Sequence, residues 1–88
     1  MRGVAIVSPV RTAVGSFGGT IKDISAAELA STVIKETINR SGIDPAKIED
    51  VILGHGYPNG ENPSIGRLAG LKADLPIEVP GYQLDRRC

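Results

Sequence analysis

The chain has 88 residues, 41% hydrophobic and 23% charged, with 10 basic against 10 acidic side chains and a single cysteine. One Cys leaves no internal disulfide framework, and no run approaches the ~18 apolar residues of a membrane span. Balanced charge, with only Arg86 and Arg87 adjacent and Asp85 before them, argues against a nucleic-acid face, so the chain reads as a soluble protein of a reducing, cytoplasmic compartment.

Val4-Ala5-Ile6-Val7, bounded by Ser8-Pro9, is a continuous apolar run that predicts a short strand buried on both faces. Val10 to Gly19 carries three glycines around Phe17 and reads as an ordered loop. Ser25-Ala26-Ala27-Glu28 has the form of a capping box, in which Ser25 and Glu28 each take one orphan N–H. A helix follows, with Ala26, Leu29, Ala30, Val33, Ile34 and Ile38 on one side and Gly42 placed to end it. Asp44-Pro45 predicts a single further turn over Ala46 to Glu49.

Val51-Ile52-Leu53 predicts a second buried strand, which with the first strand and the intervening helix makes a βαβ unit. Asn62-Pro63 is expected to open a second helix, with Asn62 as its cap, carrying Ile65, Leu68 and Ala69 and stopping before Pro76. Val79 to Leu84 is a third extended segment, ending in Asp85-Arg86-Arg87-Cys88. The chain is one α/β piece, residues 1–88, without repeats or linkers.

Several residues could carry chemistry. Cys88 is either a nucleophile or a small packed residue, and only about 3% of an ordinary thiol with pKa ~8.5 is thiolate near pH 7. His55 reads as a loop histidine with a structural hydrogen bond, because one His and one Cys without ligand spacing do not make a metal site. The glycines at 15–19 and 54–56 complete neither a dinucleotide nor a P-loop pattern, so no cofactor site is expected. Arg11 could hold an anion or a loop-fixing salt bridge. Asp85 with Arg86 and Arg87 reads as a solvated or interface cluster.

Taken in order, VRTAVGSFGG at 10–19, DPAKIEDVILG at 44–54, GENP at 60–63, DLPIEVPG at 74–81 and the terminal DRRC resemble the N-terminal part of a thiolase. The resemblance covers nearly the whole chain. It implies a partial thiolase-fold N-terminal domain, a mixed sheet with packed helices, and aligns Cys88 with the family's nucleophile, where a strand gives way to a helix N-terminus that favours thiolate. It further implies that Cys88 takes an acyl group from a coenzyme A thioester, as substrate rather than resident cofactor. Its backbone N–H would be one donor to the oxyanion.

By the same resemblance, Gly81 to Leu84 is the strand that meets its mate across a dimer two-fold, in a homodimer or homotetramer. Asp85 stands where the family commonly has Asn. The loops that hold coenzyme A and the downstream acid–base His and Cys lie beyond residue 88, so catalysis is expected only with a companion C-terminal segment. A non-catalytic α/β interaction module and another thiolase-fold enzyme, such as a ketoacyl synthase, are the alternative readings.

Overall fold

The computed structural model describes residues 2–87. In chain order they form helix α1 (Ala26–Ser41), a 3-10 turn (Pro45–Lys47), strand β1 (Val51–Gly54), helix α2 (Ile65–Lys72) and strand β2 (Gly81–Leu84). The two strands pair in parallel, Val51 opposite Gly81 through Gly54 opposite Leu84, and α2 is the crossover between them. The fold is therefore α/β as expected, with a two-stranded parallel sheet among the described residues. None of the described helices is long and apolar enough to cross a membrane.

Helix α1 begins and ends where its sequence directs, although only the Ser25 half of the expected capping box forms, with no bond from the Ser25 N–H to the Glu28 carboxylate among the described residues. Ser25 is extended and its Oγ accepts from the Glu28 N–H at 3.2 Å, while Gly42 closes the helix in the left-handed region at φ 69°. Only glycine enters that region without a steric cost, and the Gly42 N–H takes up the Ile38 carbonyl at 3.0 Å. Asp44 caps the following turn through an Oδ1 bond from the Ala46 N–H at 3.0 Å. The turn spans Pro45–Lys47.

Two expectations fail here for physical reasons. Val4 to Val7 forms no strand: Val4 and Ile6 are 96% and 93% exposed, and none of the described residues pairs with this segment. Strand propensity supplies an extended backbone, but a doubly buried strand also needs a ladder partner and two covering layers. The parallel crossover consequently runs β1–α2–β2, with α1 lying on α2 instead of bridging two strands. The exposed arm extends the molecule to a radius of gyration of 13.8 Å, against about 12 Å for a compact chain of this length.

Asn62 does not cap α2 either. That helix starts after Ser64, which holds φ 44° and makes no side-chain cap. Asn62 is instead 3% exposed, its Oδ1 accepts from the Ala27 N–H at 3.0 Å, and its Nδ2 donates to Asn59 Oδ1 at 3.0 Å. It thus satisfies a first-turn donor of α1 from a loop 35 residues away, alongside Ser25. Replacing Asn62 by alanine is expected to cost about 1–3 kcal/mol, since both a cap and a buried donor's partner are lost. Gly60→Ala in the same loop, which leaves the cap in place and has nothing within 4 Å of its notional Cβ, should cost less than about 0.5 kcal/mol. Denaturant midpoints of the two variants check this, and equal losses would remove the capping role.

The core is light and aliphatic. Ala73, Leu75 and Val79 are buried, with Ile34, Ile38, Ile48 and Val51 packed against them. Helix α2 lies directly on the strand backbones: a Cβ on Gly66 would run into the Tyr82 carbonyl oxygen and meet the Val51 carbonyl oxygen at 2.8 Å. Gly81 faces it, and a Cβ there would lie 2.6 Å from the Gly66 carbonyl carbon. Arg67 fastens the same contact by donating from Nη1 to the Val79 carbonyl at 2.7 Å.

Candidate functional site

Parallel strands end together. The loop Gly54-His55-Gly56-Tyr57 therefore leaves β1 at the edge where Asp85-Arg86-Arg87 leaves β2, and the His55 N–H closes the ladder on the Leu84 carbonyl at 2.9 Å. Helix α2 starts at this edge too, with the Gln83 Oε1 turned toward the Ile65 N–H at 3.4 Å. In open α/β sheets the strands' carboxyl edge is where loops collect and ligands bind. It is the candidate site here.

At that edge the Arg87 guanidinium grips Asp85 with both arms, Nε to Oδ1 at 3.0 Å and Nη2 to Oδ2 at 2.7 Å. Its Cζ lies 4.8 Å from the centre of the Tyr57 ring, within cation–π range. Its stem passes Gly56 so closely that a Cβ there would meet Cγ at 3.3 Å. The charge run read from the sequence as a solvated or interface cluster is solvent-exposed, and within it Asp85 and Arg87 form a clamp that joins the two strand exits. Asp85 and Arg87 lie two apart in an extended chain and so share a side. That spacing is visible in the sequence; the participation of Tyr57 and Gly56 needs the strand register and is not.

The other candidates separate. His55 bonds through its backbone N–H, whereas its ring Nδ1 is buried with no hydrogen-bond partner among the described residues, so the structural bond expected of the side chain is not made there. Arg11 donates to the neighbouring Thr12 carbonyl at 3.0 Å and joins no ion pair among the described residues, so its salt-bridge reading fails. It lines an open groove of about 700 Å³ between the N-terminal arm and α1, far in the chain from the strand exits. The acid of that groove, Glu36, is tied to Arg40 at 2.7 Å. Cys88, the expected nucleophile, lies outside the described residues, one peptide bond beyond Arg87.

Two parallel strands, a crossover helix seated on their backbone, and polar loops gathered at their carboxyl edge define an α/β protein with its candidate site at the sheet edge. More narrowly, the chain belongs to the thiolase family, for the family model described as thiolase, N-terminal domain, matches residues 4–88. It is 41% identical over 88 residues to an acetyl-CoA acetyltransferase of Cupriavidus necator and 43% identical over 88 residues to one of Clostridioides difficile. Both alignments cover 100% of this chain; it spans 22% of the first relative and 82% of the second. The crystal structure of the Bacillus anthracis acetyl-CoA acetyltransferase superposes with a TM-score of 0.80 at 38% identity, over 84% of this chain and 19% of that one. The thiolase-type fold expected from the sequence is thereby observed.

Proposed function

We propose that these 88 residues are the first part of a thiolase N-terminal domain, in an acyltransferase that acts on coenzyme A thioesters through Cys88. The Cys88 thiolate attacks the thioester carbonyl, the bond to the coenzyme A sulfur breaks, and free coenzyme A leaves with a proton as the acyl-enzyme forms. A second acetyl-CoA, deprotonated at its methyl carbon, then attacks the acyl carbonyl. The new carbon–carbon bond releases the cysteine as thiolate, and thiolysis of a 3-ketoacyl-CoA is the same path reversed. The Cys88 backbone N–H serves as one donor to the oxyanion.

One observation carries this reading: the family match runs through residue 88, and relatives at 41–43% identity are named acetyl-CoA acetyltransferases. Acid and base steps fall to a companion C-terminal segment, since His55 is the only histidine here and Cys88 the only cysteine. The working form in this reading is a cytoplasmic homo-oligomer in lipid metabolism, a dimer or tetramer, that uses acyl-CoA as substrate and holds no cofactor on this segment.

Thiol labelling tests it. In the protein that carries this chain, iodoacetamide should alkylate Cys88 at least about tenfold faster than glutathione at neutral pH, and acetyl-CoA should protect it. Labelling at the glutathione rate, indifferent to acetyl-CoA, would favour a non-catalytic module.

A further inference from the structure

The clamp at the strand exits has no evident use in stability. It is exposed, the Arg87 and Asp85 side chains being 51% and 39% accessible, and exposed ion pairs contribute little to folding. Nor is it a source of local field, because the carboxylate neutralises the guanidinium it holds. What it does restrain is direction. Asp85 and Arg87 are bound to each other across Arg86, and Arg87 is also seated on Tyr57, which belongs to the exit of the other strand. The side chains that leave β2 just before residue 88 are therefore joined to each other and to the exit of β1.

Resting on the thiolase reading above, we infer that Arg87 is a positioning residue: the Asp85–Arg87–Tyr57 clamp sets the course of the chain into Cys88 and so aims the nucleophile. A planar fork that binds both carboxylate oxygens and lies on an aromatic ring is specific to arginine; a lysine keeps the charge but not the geometry. Small errors in the placement of a reacting atom are costly in turnover without weakening binding.

The test uses the whole protein, with turnover normalised to the Cys88 sites that iodoacetamide titrates, so that lost fold or yield does not enter. Arg87→Leu and Arg87→Lys should both lower kcat roughly tenfold, and Asp85→Asn, which leaves Arg87 on Tyr57, should lower it by less than either. The KM for acetyl-CoA should stay within about twofold in all three. Tyr57→Leu, which keeps the ion pair, should show a smaller loss of kcat. Should Arg87→Leu fail to fold, Arg87→Lys and Asp85→Asn carry the same comparison. Unaltered kcat in the Arg87 variants overturns the inference, as does full rescue by lysine or a loss confined to KM. Slow, unprotected labelling of Cys88 in the unmodified protein overturns the thiolase reading itself, and the inference with it.

Discussion

Replacing Cys88 by serine is expected to abolish acyl exchange between acetyl-CoA and coenzyme A, by roughly a thousandfold or more, while the thermal midpoint stays where it was. The substitution exchanges sulfur for oxygen at nearly constant volume, so it tests chemistry more than packing. An alcohol is a far weaker acid than a thiol of pKa ~8.5, and the population of attacking anion at neutral pH falls by orders of magnitude. The exchange reaction is the right assay because it needs only the first half of a ping-pong path: acylation of the enzyme and its reversal. Full exchange by Cys88→Ser would move the nucleophile elsewhere and leave the family fold without its expected use.

The second large effect concerns stability. Gly66→Ala should destabilise the protein by about 3 kcal/mol or more, a substantial share of a typical folding free energy of about 5–15 kcal/mol. Two terms oppose each other. Alanine in place of glycine inside a helix ordinarily gains about 0.5–1 kcal/mol from backbone entropy. Here the added carbon would run into the Tyr82 carbonyl oxygen, which is backbone of a paired strand and cannot rotate away. The clash dominates, so α2 must lift from the sheet and give up burial of Ile65 and Ala69. Gly60, with nothing within 4 Å of its notional Cβ, is the control, and Gly60→Ala should change stability by less than about 0.5 kcal/mol. Denaturant midpoints measured side by side decide the matter; a Gly66→Ala protein as stable as the Gly60 control would mean that α2 does not rest on the strands as described.

Local features were readable from the sequence where the signal was itself local. Ser25, Gly42 and Asp44 act within a few residues of their own position, and each occupies the cap its type predicts. Strand β1 and the extended segment that becomes β2 were likewise evident from short apolar runs between breakers, but β1 is not the buried strand expected, since Ile52 is 53% exposed. What failed depended on distant partners. Val4 to Val7 has every mark of a strand, yet pairing is a property of two segments, and the sequence of one cannot supply the other. Asn62 precedes a proline near a helix start, as a cap would, but its carboxamide is drawn to the orphan donor of α1. Of the candidate site, the family resemblance singled out Cys88, and the spacing of Asp85 and Arg87 was in plain view. The role of Tyr57 follows only from the parallel register, which aligns residues 30 positions apart.

Asn62 also bears on the order in which the molecule assembles. The first turn of α1 holds a donor whose acceptor arrives only when the loop after β1 has come into place. Initiating a helix is its least favourable step, since several torsions are fixed before the first bond is made. A synthesis-ordered chain thus emits α1 before the group that secures its leading turn, and the amino end of that helix should fray until residues 59–62 close over it. Its consolidation is a long-range event, although the backbone hydrogen bonds within the helix are all short-range.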